Sequence, residues 1–178
     1  MKGVFDLKEV IVDYGGVSLA RLCQQLEEQQ IHLNAYANQL LRHPHLSLSA
    51  DKQRTTCVIV SLKELGLTQG GSLTEIFAAA PSYGLTDCTL EMALHFRLSY
   101  HQLANSTGLK SQGKAPAAAI TIASMPLEKT DDFPKGFYIR RIDGCDWLRG
   151  YTCDGLYQFA QDDLFLFKRR DPLPERLN

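Results

Sequence analysis

Apolar positions in the first part of the chain recur with the period of an α-helix. Ser18 suits a helix N-cap, and after it apolar side chains follow at the i, i+3, i+4, i+7 spacing of a buried stripe: Leu19, Leu22, Cys23 and Leu26. Asn34 can cap a second short helix, which Pro44 ends. The pattern predicts a helical pair, preceded by a helix or a strand around residues 4–12.

Beyond residue 54 the pattern changes to short apolar runs. Residues 55–61 are β-branched and apolar, which predicts a buried strand. Ser72 and Glu75 have the spacing of a capping box, so a third helix is predicted up to Pro81, and residues 89–93 suit one further helical turn. Apolar runs between turn signals then predict five strands, at residues 96–100, 118–124, 137–142, 145–151 and 164–168.

Residues 137–151 predict a β-hairpin that turns at Asp143-Gly144. Asp-Gly tolerates the positive φ angles of a type I′ turn, whose twist matches that of the flanking strands. Alternate positions of the second arm lie on one face of the strand and form an aromatic-rich row: Cys145, Trp147, Arg149 and Tyr151.

These elements predict an α+β fold. We expect an N-terminal helical segment, followed by a mainly antiparallel sheet with one or two helices packed on one face. The expected division is a helical segment at 1–50, an α+β domain at 51–170 and a frayed tail at 171–178. A polar stretch between His45 and Arg54 marks the boundary, and Pro172 and Pro174 mark the tail.

The composition excludes several classes of function. The 178 residues hold 19 basic and 20 acidic side chains, and the net charge of −1 gives no general attraction for nucleic acid or an anionic membrane. The N-terminus lacks the apolar core of a secretory signal, and no apolar stretch approaches the length of a membrane span. We therefore expect a cytoplasmic protein that does not contact membranes.

The sequence contains no recognisable catalytic or metal-binding motif. None of the five cysteines belongs to a CxxC pair. His43 and His45 are near neighbours, as are His95 and His101, but no carboxylate or thiol cluster completes either set at ligand spacing. No GxSxG elbow or cysteine-centred signature marks a nucleophile. We predict no metal, no cofactor and no catalytic residue.

Short motifs distributed over residues 62–168 provide a resemblance. They are Lys63-Glu-Leu-Gly-Leu67, Ser72-Leu-Thr-Glu-Ile76, Leu98-Ser-Tyr100, Ile122-Ala-Ser124, Phe133-Pro-Lys-Gly-Phe-Tyr138 and Trp147-Leu-Arg-Gly-Tyr151. In these motifs the chain resembles a family of small uncharacterised bacterial and phage-associated proteins, some of which are labelled helicase-like. The resemblance implies no established activity and no catalytic residues, and the N-terminal helices lie outside it.

One segment invites comparison with the phosphate-binding loop of a helicase. Gly108 and Gly113-Lys114 fit the GxxxxGK half of that motif. However, Ala115 stands where a Ser or Thr hydroxyl would hold magnesium, and Pro116 stands where the phosphate-binding helix should begin. The segment is therefore interpreted as a loop that binds no nucleotide.

The preferred function is that of a non-enzymatic binding or interaction module that uses an Arg/aromatic hairpin face. A protein partner and a homodimer both remain open. The candidate residues combine arginines with aromatic side chains, which stack, bind carboxylate or anchor interfaces: Arg97, Tyr100, Arg140, Arg141, Trp147, Arg149 and Tyr151. The alternative is that Trp147 and Tyr151 fill the core, in which case the hairpin is scaffold.

Two further functions remain as alternatives. The helical pair has roughly the length of a helix-turn-helix, and its second helix would present polar side chains to nucleic acid: Asn34, Asn38, Gln39 and Arg42. Balanced charge in residues 1–54 favours a plain helical hairpin instead. A small enzyme acting on an anionic substrate would need Arg97, Arg140 or Arg149 to meet a titratable group in one cleft, with His101, Asp143 and Asp154 as the candidates.

Overall fold

The computed structural model describes residues 7–106 and 118–171. It confirms the α+β fold, with four α-helices and one open, mixed sheet of nine strands among those residues. The helices are α1 (Leu19–Glu28), α2 (Ala35–Arg42), α3 (Leu73–Ala79) and α4 (Leu90–Ser99), and a 3-10 turn, Ala80–Tyr83, follows α3. The strands are β1 (Lys8–Tyr14), β2 (His32–Leu33), β3 (Gln53–Ser61), β4 (Leu85–Thr86), β5 (Asn105–Ser106), β6 (Ile120–Ile122), β7 (Gly136–Ile142), β8 (Cys145–Tyr151) and β9 (Leu164–Arg169).

The sheet runs in the order β1-β3-β9-β6-β7-β8-β2, with β4 beside β9 and β5 beside β7. Most neighbours are antiparallel, but β6 is parallel to β9, β2 is parallel to β8, and β5 is parallel to β7. The two edges of the main path therefore come from the N-terminal segment. Residues before 51 supply β1 at one edge and β2 at the other, so they belong to the same sheet as the rest of the chain.

The hairpin prediction is confirmed in position and in turn geometry. β7 and β8 pair from Gly136 opposite Tyr151 to Ile142 opposite Cys145, and the two residues between the strands form the turn. Asp143 has φ of 48° and Gly144 has φ of 79°, the two positive angles of the predicted turn. This register places Arg140 opposite Trp147 and therefore fixes which side chains share a face of the hairpin.

Helices lie on both faces of the sheet. On the first face α1, α2 and α4 cover a cluster that includes Cys57, Ile59 and Leu166. On the second face α3 covers a smaller cluster that includes Val58 and Val60. Because successive residues of β3 belong to opposite clusters, this strand is buried on both sides, in agreement with its continuous β-branched sequence.

Helix α4 is longer than expected, and the strand predicted at residues 96–100 is wrong. Thr89 caps α4 by accepting a hydrogen bond from the backbone N–H of Met92, and the helix then continues to Ser99. Seven of its ten residues are buried, so its sequence shows no polar stripe that would reveal a helical period. A helix buried on all sides resembles a buried strand in its hydrophobic pattern.

Asn34 and Gly150 join the N-terminal helices to the hairpin. Asn34 caps α2 as predicted, since its Oδ1 accepts from the backbone N–H of Ala37. The same side chain donates to the carbonyl of Gly150 at 3.0 Å and accepts from its N–H at 2.8 Å. A single amide therefore holds the start of α2 against β8. The predicted caps at Ser18 and Ser72–Glu75 are confirmed as well.

Candidate binding surface on the hairpin

The sheet separates the predicted site residues into two groups. Arg141 lies on the face that α4 covers, together with Arg97 and Tyr100. Arg140, Trp147 and Arg149 project from the opposite face, since they alternate with the core residues of the two strands. The seven candidates therefore do not form one site. The hairpin face that carries Trp147 is the candidate binding surface.

Trp147 is half-buried at the centre of this surface. The His32 ring on β2 packs against it with 5.0 Å between centroids, and the Arg149 guanidinium lies 4.9 Å from the ring centroid. The sheet produces both arrangements. His32 of β2 is the pairing partner of Trp147, and Arg149 lies two residues after Trp147 in β8, so the two share a face of that strand. The helix on this side, α3, packs over β9 through Phe77 and Phe167 rather than over the hairpin.

Arg149 is positioned by aromatic groups. Its Nε donates to the Tyr138 hydroxyl at 2.8 Å, while the Trp147 ring supports the guanidinium. Within residues 7–106 and 118–171 no carboxylate lies within ion-pair distance of it. Other arginines contrast with it, since each pairs with a carboxylate: Arg21 with Glu28, Arg54 with Asp13, Arg141 with Asp146 and Arg169 with Glu9. The guanidinium fork of Arg149 is therefore held in place with its charge unpaired.

The two ends of the surface are fixed differently. At the turn end, Arg140 Nε donates to Ser106 Oγ at 3.0 Å, and Ser106 Oγ in turn donates to the Arg141 carbonyl. At the other end, Tyr151 packs against Phe159 and its hydroxyl is buried with no hydrogen-bond partner. Burial raises the pKa of the Tyr151 hydroxyl well above its ordinary value. Tyr151 is thus part of the scaffold, whereas Trp147 and Arg149 remain at the surface.

On the face of the sheet that α4 covers, Arg97 lies in the protein interior. Its side chain is fully buried, Nη2 donates to the Tyr100 carbonyl at 2.6 Å, and Asp146 Oδ1 is 3.8 Å away. Nε and Nη1 have no hydrogen-bond partner among the residues that the structure describes. Burial lowers the pKa of Arg97, and the nearby charge of Asp146 opposes that shift. The Tyr100 ring stacks on Phe96, and its hydroxyl accepts from Lys8, so both residues serve the core.

His95 and Glu91 form a second polar group on α4. The backbone N–H of Gly15 donates to His95 Nε2 at 3.3 Å, which requires the neutral ring with its proton on Nδ1. Glu91 is buried, and its Oε2 accepts from the backbone N–H of Ser49. Its Oε1 lies 3.8 Å from His95 Nε2 and has no hydrogen-bond partner in the described ranges. Burial lowers the pKa of His95, and Glu91 opposes this shift. The cavity beside the ring also contains Asp13, Lys52 and Arg54.

The lowered pKa of His95 predicts a loss of stability in mild acid. As the pH falls from about 7.5 to about 5.5, the unfolded chain takes up a proton at this position before the folded chain does, so the free energy of unfolding decreases. His95→Gln keeps an acceptor for Gly15 and does not titrate, and it should flatten the dependence. Urea unfolding at several pH values measures the slope. Equal slopes for the wild type and His95→Gln would show that His95 is not the titrating group.

The proposed nucleic-acid residues of α2 are partly used inside the protein. Asn34 caps the helix and binds Gly150, and Asn38 donates to the Asn34 carbonyl. Gln39 and Arg42 remain exposed. A recognition helix reads bases with several side chains of its outer face. Here the helix docks its first turn on β8, so only the last two of the four predicted residues are offered to a ligand.

The arginines that an enzyme site would need do not converge in one cleft in the described ranges. Arg97 is on one face of the sheet, whereas Arg140 and Arg149 are on the other. Asp154 Oδ1 accepts from the backbone N–H groups of residues 156 and 157, so it stabilises a turn. No group of three His, Cys, Asp or Glu side chains that could hold a metal ion occurs in the described ranges. The GxxxxGK segment at 108–114 and the tail at 172–178 lie outside the described residues.

Sequence reasoning missed two members of the surface, His32 and Tyr138. His32 reaches Trp147 because the short segment before α2 pairs with β8, and two residues are too few for a recognisable strand pattern. Tyr138 lies opposite Arg149 in the register, which the predicted turn position was sufficient to indicate.

Comparisons with family models, with curated proteins and with solved structures gave no match to this chain. The resemblance based on the short motifs of residues 62–168 therefore remains a prediction. None of the helices in the described part of the chain has the length and apolar character needed to cross a membrane.

Proposed function

We propose that the protein is a non-enzymatic interaction module whose hairpin face binds an acidic segment of a protein partner. The observation that carries the proposal is Arg149, held by Tyr138 and Trp147 with no carboxylate partner among the described residues. A guanidinium fork fixed in this way loses little conformational entropy when it binds a partner carboxylate. Trp, Tyr and Arg are also the residue types that contribute most to protein interfaces.

The charge of the surface favours a separate partner over a second copy of the same face. A symmetric dimer through the hairpin would place the Arg149 side chains of both copies in one interface, and like charges in an interface oppose association. A single-stranded nucleic acid would require an exposed aromatic face for base stacking. The Trp147 ring is already in contact with His32 and Arg149, which favours carboxylate recognition by the cation.

A matched pair of variants tests the proposal. The probe is a fluorescein-labelled, glutamate-rich peptide with one central phenylalanine, and its anisotropy measures binding. Arg149→Gln removes the positioned cation and should weaken binding by about tenfold or more, because a charge-assisted hydrogen bond is lost. Arg54→Gln makes the same change of net charge on β3, where the arginine is paired with Asp13, and should change the affinity by less than about twofold.

Three results would contradict the proposal. They are no saturable binding of the acidic peptide, equal loss of affinity in Arg149→Gln and Arg54→Gln, or binding of a thymidine oligonucleotide in preference to the peptide. The last result would instead support the nucleic-acid alternative. Melting temperatures of the two variants show whether both remain folded under the conditions of the titration.

A further inference from the structure

A cavity separate from the hairpin surface lies between α3 and the loops that follow β6 and β8. Its volume is about 370 Å³, within the range of small-molecule sites. The walls are mainly apolar, with Leu73 and Phe77 from α3 and with Met125 and Pro126 from the loop after β6. Met125 is 60% exposed at the rim, so the cavity is accessible from solvent. An apolar lining with few polar groups is the usual character of a ligand site.

Lys135 places a buried ammonium group in this cavity. The residue is 7% exposed, and its backbone N–H donates to the Tyr151 carbonyl, which anchors it beside β8. Its Nζ donates to the Thr130 carbonyl at 2.9 Å, and Asp131 Oδ1 lies 3.8 Å away. An ammonium carries three N–H donors, so two of them have no acceptor within hydrogen-bond distance in the described part of the chain. A buried cation with so few partners favours an anion beside it.

The other charged groups of the cavity pair with this cation only weakly, since Asp131 forms an ion pair with it but no hydrogen bond. Asp131 has a 65% exposed side chain, and its distance from Nζ exceeds that of a hydrogen bond. The Asp154 carboxylate is engaged by the backbone of its own turn. Burial raises the pKa of the Cys153 thiol, so this side chain is a neutral part of the wall and not a nucleophile. The cavity thus combines apolar walls with the buried ammonium of Lys135, and three exposed charged side chains lie at its rim: Lys129, Asp131 and Asp154.

We propose that this cavity binds a small amphipathic monocarboxylate, with the carboxylate on Lys135 and the apolar chain against Leu73, Phe77 and Met125. The proposal is independent of the hairpin surface, because the lining includes none of the residues around Trp147. The carboxylate fills the two open donors of the ammonium, and the apolar chain removes Met125 and Phe77 from water. A cationic amphiphile would instead place a second positive charge beside Lys135.

Methionine methyl groups report binding directly in the intact protein. The chain has three methionines; Met125 lines the cavity, while Met92 belongs to α4 and is buried in the core. With ¹³C-labelled methionine methyls, sodium octanoate should shift the Met125 signal in a saturable manner and leave Met92 unchanged. Octylammonium should shift neither signal. Absence of a saturable Met125 shift with octanoate, or an equal shift with octylammonium, would overturn the proposal.

Two lysine variants distinguish the contribution of the buried cation to binding from that of general surface charge. Lys135→Met keeps an unbranched side chain that is one atom shorter, and it should weaken octanoate binding by at least about tenfold, because the carboxylate loses its charged donor. Lys63→Met changes an exposed lysine that pairs with Asp162 outside the cavity, and it should weaken binding by less than about twofold.

Octanol distinguishes carboxylate recognition from simple burial of an apolar chain. We expect octanol to bind the wild type at least about tenfold more weakly than octanoate, and Lys135→Met to lose that preference. Equal affinity of the wild type for octanol and octanoate, or equal effects of the two lysine variants, would contradict a role of Lys135 in binding. Because the methyl experiment uses the wild-type chain, its outcome stands even where Lys135→Met fails to fold.

Discussion

Gly150→Ala should destabilise the protein by about 3 kcal/mol or more and lower its melting temperature by about 10 °C. A Cβ at this position would lie 2.6 Å from the Tyr36 carbonyl carbon and 2.8 Å from the Ala37 nitrogen. Both are backbone atoms of α2, so no side-chain rotation can relieve the overlap. Helix α2 must move away from β8, which breaks both hydrogen bonds between Asn34 and Gly150 and exposes Leu40.

Gly155→Ala is the matched control for this prediction. Apart from its chain neighbours, no heavy atom of the described residues lies within 4 Å of a Cβ built at Gly155, and its φ is not in the left-handed region. The same addition of one methyl group should therefore change the free energy of unfolding by less than about 0.5 kcal/mol. Urea unfolding of both variants gives the comparison. A Gly150→Ala protein as stable as Gly155→Ala would show that α2 does not lie against β8 at this distance.

Arg97→Ala should cost about 3 kcal/mol, whereas Arg97→Met should stay within about 1 kcal/mol of the wild type. The alanine variant leaves a cavity in the most buried part of α4 and removes the donor of the Tyr100 carbonyl. The methionine variant fills most of that volume and removes a charge whose Nε and Nη1 form no hydrogen bond within the described part of the chain. Replacement of a poorly paired buried charge by an apolar side chain of similar size is often neutral or stabilising.

Denaturant unfolding of the two Arg97 variants separates packing from charge. A difference of about 2 kcal/mol or more between them supports the view that the stem of Arg97 packs the core, while its charge contributes little. If the two variants are equally destabilised, the interaction with Asp146 and Tyr100 holds α4 against the hairpin. In that case Asp146 would be the next position to vary, since Arg141 also binds it at 3.2 Å.

The hairpin could be predicted from the sequence because its determinants are local. Asp143-Gly144 specifies the turn, and the turn specifies the register. Because side chains alternate along a strand, Trp147 and Arg149 are then predicted to share a face. Which face of the hairpin is buried could not be predicted in this way. The burial depends on where α2 and α4 pack, and these helices come from segments distant in the chain.

Helix α4 shows where the hydrophobic pattern fails to distinguish a helix from a strand. Residues 90–97 are buried except for His95, so the segment shows neither an alternating nor a helical pattern. Assigning a strand at 96–100 brought Arg97 and Tyr100 to the predicted binding surface, and the helix places them in the core instead. The cap at Thr89 was the available signal, and the length of the apolar run favoured a helix.

Nothing in the sequence indicated that Lys135 is buried. It lies in a Pro-Lys-Gly segment before β7, where an exposed loop lysine is the ordinary expectation. Its burial arises because its backbone pairs with Tyr151 and its side chain lies below the loop that carries Asp131. Such a site depends on α3 and on two loops from different parts of the chain, and no spacing rule relates them.

Intrinsic fluorescence tests the proposed hairpin surface most directly, because Trp147 is the only tryptophan in the chain. Addition of the unlabelled glutamate-rich peptide should change the emission of Trp147 in a saturable manner, and added salt should weaken the effect because the contact depends on the charge of Arg149. The same peptide with lysine in place of glutamate should leave the emission unchanged. An emission that does not respond to the acidic peptide, or that responds equally to both peptides, would contradict the account.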